Sequence, residues 1–354
     1  MRSLSSTLAT VLVLAAPFAI AQNAFQQVQP KRPLQSNEHA LNLPGATTID
    51  APAAGFNPLA ASDEELAYNG FSPRPDQSAN PKAYALWAKA MSRAKTRVTP
   101  VLEQTNIFHG PAQIKKNADS ASAESKPLVA LQPSNTLYSG NWSGYVDLSG
   151  ATSYGSSSFY YTVNEMVVPV AQQSGCTGGW AYGSAWNGID GWGSGDVLQA
   201  GFEFDAYCSG STRSAYYSTW YEWYPYGEVR VSSVPIVPGD DMFVEVWHTS
   251  STQGYALVEN LTTGTYFEIG FTAYPGHALV GNSAEYVVEA PTVGGSLATM
   301  VDYTALPFWD TYAYTEAGAF YDAANGYAVD MEPASTILSY PQYFGPESFV
   351  MHWQ

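Results

Sequence analysis

The last two thirds of the chain are expected to be all-β: a two-sheet antiparallel β-sandwich, or jelly roll, preceded by a small, partly helical prosegment. Three observations lead there. Period-two alternation broken by turn residues recurs beyond residue 134, as in Glu228-Val229-Arg230-Val231 and Phe243-Val244-Glu245-Val246-Trp247 on either side of Pro238-Gly239-Asp240-Asp241. With 30 Gly, 23 Pro and 25 Tyr among 354 residues, the composition is not that of a helical bundle or a coiled coil. The charge is also divided. Residues 1–133 hold 12 of the 14 Lys+Arg and 9 of the 31 Asp+Glu, which leaves only Arg213 and Arg230 against 22 acidic residues in the remainder.

Residues 1–21 read as an export signal. Arg2 gives a positive start, residues 8–20 form a short apolar run, and Ala19-Ile20-Ala21 matches a small-x-small cleavage pattern, so that Gln22 would begin the exported chain. Residues 22–133 are polar and rich in Pro and Ala, as a propeptide with a linker would be. Asn80-Pro81 reads as the N-cap and first-turn proline of a helix, and Tyr84, Trp87, Ala88 and Met91 form its apolar stripe. The Ser/Ala/Lys stretch from Lys115 to Pro133 has the character of an exposed, protease-sensitive linker. A basic module joined to a lysine-free acidic one suggests a prosegment held partly by charge, with a grip that acid should weaken by neutralising carboxylates. An independent N-terminal domain is the alternative.

Residues 134–354 form the body. Residues 255–259 and 265–271 flank Asn260-Leu261-Thr262-Thr263-Gly264 as a hairpin would. Cys176 and Cys208 are the only cysteines; in an exported chain they can close one disulfide, stabilising by roughly 3–4 kcal/mol, and two buried thiols are the alternative. Asn141-Trp142-Ser143 and Asn260-Leu261-Thr262 are glycosylation sequons. A net charge of -17 argues against a nucleic-acid partner, and after residue 21 no apolar run is long enough to span a membrane. An acidic, lysine-free body relieves its self-repulsion when carboxylates protonate, which suits work in acid.

Several chemistries lack their motifs. There is no Gly-x-Ser-x-Gly, no Asp-Thr-Gly or Asp-Ser-Gly, no Cys-x-x-Cys, no phosphate-cradling glycine loop, and no zinc-type pair among His248, His277 and His352. No metal and no cofactor is expected.

Three segments put polar residues where a sandwich strand would carry apolar ones. Val197–Glu203 as a strand sets Gln199, Gly201 and Glu203 on one face and Leu198, Ala200 and Phe202 on the other, after Trp186-Asn187-Gly188-Ile189-Asp190-Gly191. Thr219–Pro225 carries Glu222 on the face of Trp220 and Tyr224. Ala284–Pro291 sets Glu285, Val287 and Glu289 together, opposite Ala284, Tyr286 and Val288. Singly these carboxylates read as solvated; together they outline an aromatic, acidic cleft suited to sugars or extended peptides. Glu285 and Glu289 would lie about 13 Å apart along one strand, too far for a glycosidase pair, although Glu203 or Glu222 could supply a partner.

The motifs Asn141-Trp142-Ser143-Gly144, Trp186-Asn187-Gly188-Ile189-Asp190-Gly191 with Leu198-Gln199-Ala200-Gly201, Trp220-Tyr221-Glu222-Trp223-Tyr224-Pro225 and Ala284-Glu285-Tyr286-Val287-Val288-Glu289 occur in this order over about 150 residues. In this the chain resembles the glutamic peptidase (eqolisin) family, secreted acid endopeptidases with a removable propeptide and a concanavalin-like two-sheet jelly roll. Tyr286 stands where the family pattern has Trp. The resemblance implies a catalytic pair of Gln199 and Glu285, with Trp186, Asp190, Trp220 and Glu222 lining or bracing the cleft. It implies domains at 1–21 (signal), 22–133 (propeptide with linker) and 134–354 (catalytic β-sandwich). Protein or peptide substrates and the chain's own propeptide are the expected partners of a monomer. A secreted jelly-roll glycoside hydrolase and a non-catalytic carbohydrate-binding protein are the competing readings.

Overall fold

The computed structural model describes residues 35–115 and 136–354, apart from residues 44, 94 and 177. The export signal, Gln22 and residues 116–133 of the linker lie outside them. The body is an antiparallel sandwich of two sheets. Its strands are β1 (Trp142–Leu148), β2 (Phe159–Val167), β3 (Ser184–Ile189), β4 (Val197–Ser209), β5 (Thr212–Tyr224), β6 (Val229–Val231), β7 (Asp241–Ser250), β8 (Gln253–Asn260), β9 (Thr265–Thr272), β10 (Ser283–Glu289), β11 (Leu306–Thr315), β12 (Tyr327–Met331), β13 (Ser339–Gly345) and β14 (Ser348–Trp353). The front sheet runs β6-β5-β4-β3-β10-β1-β12. The back sheet runs β9-β8-β7-β2-β11-β14-β13, and a single Met331–Ser339 pairing joins the two edges.

Period-two alternation sorts each strand. Leu198, Ala200 and Phe202 of β4 and Ala284, Tyr286 and Val288 of β10 point inward, against Val244 and Val246 of β7 and Phe267 and Ile269 of β9. Gln199, Gly201 and Glu203, and Glu285, Val287 and Glu289, are therefore turned to the outer face of the front sheet. The hairpin of β8 and β9 closes with Asn260 opposite Thr265. Cys176 and Cys208 are bridged, with Cα atoms 5.6 Å apart. Both sequon asparagines are buried and hydrogen-bonded through Nδ2, Asn141 to Pro111 O and Glu289 Oε1, and Asn260 to Pro235 O and Asp240 Oδ2. Neither amide is presented to solvent in the folded chain.

The described part of the N-terminal module wraps both outer faces. The helix α1 (Asp63–Tyr68) opens with a capping box between Ser62 and Glu65. The helix α2 (Pro81–Arg93) begins at the expected proline. Its most buried side chains are Ala83, Trp87, Ala90 and Met91, so the stripe is rotated from the expected one: Tyr84 and Ala88 flank it. These residues, with Leu66 and Phe71, pack on Phe243, Trp247, Leu257 and Tyr312 of the back sheet. Lys89 pairs with Glu165 and Asp310, both at 3.0 Å, and Arg93 pairs with Glu165 at 3.5 Å and Asp241 at 3.3 Å. Residues 102–115 then cross the front sheet. Leu102–Gln104 pairs with β6, Ile107–Phe108 with Thr292–Val293, and Ile114–Lys115 with Leu137–Ser139.

Candidate active site

The site is built by register. β3 lies between β4 and β10, so each β3 residue has a partner on either side. Gly188 is opposite both Gln199 and Glu285; Trp186 is opposite Gly201 and Val287; Ser184 is opposite Glu203 and Glu289. β5 extends these rows, with Glu222 beside Gln199 and Trp220 beside Gly201. Gln199 and Glu285 are thus two strands apart, about 10 Å between backbones, across a residue that has no side chain.

Two glycines make room for the rings. A Cβ on Gly201 would come within 2.2 Å of Ala185 O and 2.5 Å of Trp186 Cβ, so only glycine fits between the two tryptophans of its row. A Cβ on Gly188 would lie 2.9 Å from Leu198 O and 3.0 Å from both Gln199 Cβ and Trp186 Cζ3. Trp142, Trp186 and Trp220 form one apolar cluster on this face, Trp142 meeting Trp186 edge-on at 4.9 Å.

The crossing segment delivers His109 to the centre of this face. Its imidazole is fully buried and stacks on Trp220, centroids 3.9 Å apart and planes 9° from parallel. Nδ1 faces Glu289 Oε2 at 3.2 Å; Nε2 faces Glu203 Oε1 at 3.0 Å and Glu228 Oε2 at 3.3 Å. The backbone of His109 is held as firmly. Its N–H donates to Glu222 Oε2 at 2.8 Å, and its carbonyl accepts from Gln199 Nε2 at 2.5 Å.

Burial sets the titration of these groups. It would by itself lower His109, but hydrogen bonds to Glu203, Glu228 and Glu289 outweigh it and hold the imidazole well above its usual range, as a cation. Burial pushes Glu222 up to about 8 despite the adjacent His109, and raises Glu289 against the opposing bonds from His109 and Trp186. Glu285, wholly buried, is driven well above the carboxylate range by desolvation, against a hydrogen bond from Ser283 and with Asp190 and Asp147 adding repulsion. Its two oxygens have no hydrogen-bond partner besides Ser283. Glu289, by contrast, accepts from Trp186 Nε1 at 2.9 Å and Asn141 Nδ2 at 3.3 Å as well as facing His109.

The structure brings Gln199, Glu285, Trp186, Trp220 and Glu222 to one face, as the motifs led one to expect. Asp190 is a brace: at φ 73° it accepts the N–H groups of Val280 and Asn282 at 2.7 and 2.8 Å, fixing the approach to β10. Sequence reasoning missed His109 and the contribution of Glu228. The signal for the first was Ile107-Phe108-His109, an apolar pair beside a histidine within a polar segment. His109, Glu203 and Glu228 are also the set that could hold a metal, their ligand atoms lying within 4.8 Å of one another. His109 Nε2 itself lies 3.0 Å from Glu203 Oε1 and 3.3 Å from Glu228 Oε2.

A model described as the Peptidase A4 family matches residues 140–353. Aspergillopepsin-2 from Aspergillus niger is 32% identical over 221 residues, covering 58% of this chain and 74% of that protein. Scytalidopepsin B from Scytalidium lignicola is 32% identical over 182 residues, 50% of this chain and 62% of that protein. The solved structure of scytalido-glutamic peptidase with a transition state analog inhibitor superposes with a TM-score of 0.52 at 25% identity, covering 61% of this chain and 98% of that one.

Proposed function

Because the chain belongs to the Peptidase A4, or eqolisin, family and is a glutamic endopeptidase, we propose that it is secreted, works in acid and is made as a zymogen, with Gln199 and Glu285 as its catalytic pair. One observation carries this reading: the Gln199 amide donates to the carbonyl of His109, a peptide group of a segment lying extended across the front sheet. A substrate carbonyl in that position would receive the same bond. The amide does not titrate, so it keeps its donor at any pH.

In the reaction, Glu285 takes a proton from water as the water oxygen bonds to the carbonyl carbon. Gln199 Nε2–H donates to the oxyanion that forms. As the C–N bond breaks, the carboxyl returns the proton to the leaving nitrogen, giving a new carboxyl group and a free amine. Glu285, with Ser283 as its hydrogen-bonding neighbour, is less engaged than Glu289, which is held by Trp186, Asn141 and His109, and this favours Glu285 as the base. Burial drives Glu285 upward, and releasing residues 102–115 would open the face on which it lies. Opening the face to water would lower it toward the working range.

The zymogen reading takes residues 22–133 as a propeptide that blocks the cleft, with 134–354 as the catalytic domain and no metal in the mechanism. Secretion rests on the signal-like residues 1–21; among the described residues no helix is long and apolar enough to cross a membrane. The test is degradation of a denatured protein by the acid-treated chain between pH 2 and 7, beside Glu285→Gln and Gln199→Ala. Wild-type cleavage confined to acid, reduced at least about 1,000-fold in each folded variant, is the expected result. Near-normal cleavage by either variant would remove that residue from the pair. Hydrolysis of a polysaccharide and of no protein would restore the glycosidase reading.

A further inference from the structure

We propose that the outer edge of β6, with Arg230, is a second binding site remote from the cleaved bond, and that it takes an extended, acidic stretch of the substrate by strand addition. The proposal rests on the peptidase reading above and adds the substrate class. Residues 101–107 are the template. Gln199 donates to the carbonyl of His109, and six residues upstream of His109 the chain runs along β6.

Leu102–Gln104 pairs antiparallel with this edge, Gln104 opposite Val229, Glu103 opposite Arg230 and Leu102 opposite Val231. Backbone bonds continue on either side. Ser232 N donates to Val101 O at 3.1 Å, Glu228 N to Ile107 O at 2.9 Å, and Thr105 N to Glu228 O at 3.1 Å. Among the described residues no other strand pairs with this edge, so releasing the prosegment would leave these backbone groups to water. An extended peptide restores the bonds whatever its sequence. Two positions read side chains. Leu102 packs at the margin of the core, which suits an apolar residue. Glu103 Oε2 lies 3.5 Å from Arg230 Nη1. The guanidinium is held 4.8 Å over the Tyr216 ring, with Glu228 Oε1 3.9 Å from Nη2, and its five N–H groups can serve two carboxylates. Arg213, the only other Lys or Arg after residue 133, bonds the carbonyls of Gly210 and Thr212 at the turn between β4 and β5. On a face otherwise lined with carboxyl groups, Arg230 is therefore where an acidic side chain is attracted and not repelled. Its size is not restricted: a cleft of about 580 Å³, bounded by Trp180, Tyr182, Asp205 and Tyr216, opens beside Glu103. Charge is what this position reads.

The test uses the acid-activated full chain at pH 4.5 to 5, where a glutamate side chain is mostly ionised. Two lengths of peptide are cut at one bond. The short one begins at the position of Ile107, and the long one at that of Val101, with glutamate, glutamine or lysine at the position of Glu103. The long glutamate peptide is expected to have a KM at least about 10-fold below the short one and about 5-fold below its lysine version, with kcat within about 2-fold throughout. Arg230→Gln should abolish the charge ranking and Arg230→Glu should reverse it, both leaving kcat/KM of the short peptide unchanged. Equal KM for long and short peptides, or a ranking that persists in the folded variants, would overturn the site and leave the peptidase reading intact. A second measurement needs no variant. Val-Leu-Glu-Gln-Thr-Asn should compete with the long peptide and not with the short one, and more strongly than the same hexapeptide with lysine in place of glutamate. Competition with both lengths, or with neither, would equally overturn the site. Failure to cut any peptide would remove the peptidase reading, and this one with it.

Discussion

At the scale of single residues, the site depends on what is missing at Gly188. Gln199 and Glu285 face each other across this residue, and a methyl group there would meet Gln199 Cβ and Trp186 at 3.0 Å, and Leu198 O at 2.9 Å. Gly188→Ala should displace the amide by a few tenths of an ångström, leaving the sheet paired. Displacements of this kind cost catalysis more than stability. We expect kcat/KM to fall about 10- to 100-fold while circular dichroism and the melting temperature change little; unaltered kcat/KM would show that the Gln–Glu spacing tolerates the methyl. Glu285 and Glu289 lie on one strand face, and the resemblance implies Glu285 as the partner of Gln199. Their surroundings differ: Glu289 is engaged by Trp186, Asn141 and His109, whereas Ser283 is the hydrogen-bonding neighbour of Glu285.

At the scale of elements, α2 is held to the back sheet mainly by apolar contact. Trp87 is fully buried at the centre of that contact, with the Arg74 guanidinium 5.2 Å from its ring. Trp87→Ala should destabilise the docked helix by about 3–5 kcal/mol. In a denaturant titration of the full chain this would appear as an early transition confined to the N-terminal module; a single unshifted transition would mean that the helix contributes little. The ion pairs of Lys89 and Arg93 add to this contact, but their pH dependence runs against expectation. Burial raises Glu165 and Asp241, opposed only in part by Lys89 and Arg93. Covering these carboxyls therefore favours their neutral forms, and acid alone does not loosen the helix through them.

At the scale of the whole molecule, buried carboxyls tie stability to acid. Burial pushes Glu245 up to about 7 and Glu259 up to about 8, opposed by the Tyr161 and Ser72 hydroxyls in the first case and by Arg93 in the second. Unfolded, each titrates near 4.3. Between those values the folded chain binds more protons than the unfolded one, so unfolding free energy decreases as pH rises. The contribution is fully present below about pH 4 and is lost as pH climbs through 7 and 8. His109, raised by its three glutamates against the effect of burial, acts in the same direction. The melting temperature of the full chain should fall by about 5 °C or more between pH 5 and pH 8. A melting temperature that rises over that interval would contradict the assignment of these groups as protonated.

The sequence by itself determined the class of fold, the two-faced character of the strands and the residues at the centre of the front sheet. Those properties are local: alternation sorts faces, turn residues end strands, and Gln199, Trp220 and Glu285 each lie in a short motif. The split of charge likewise identified an N-terminal module set against an acidic body, and Lys89 and Arg93 do pair with that body. Tertiary structure decided the rest. Whether a carboxylate on a strand face is solvated or buried depends on what crosses that face, and here the covering segment is more than 80 residues away in the chain. Helix periodicity likewise pointed to Tyr84 and Ala88 beside Trp87 and Met91, and packing on the back sheet buries Ala83 and Ala90 instead. The apolar pair before His109 could signal its burial but not its partners, which are gathered from β4, β10 and the approach to β6. Only the register of separate strands brings those carboxyls to one ring.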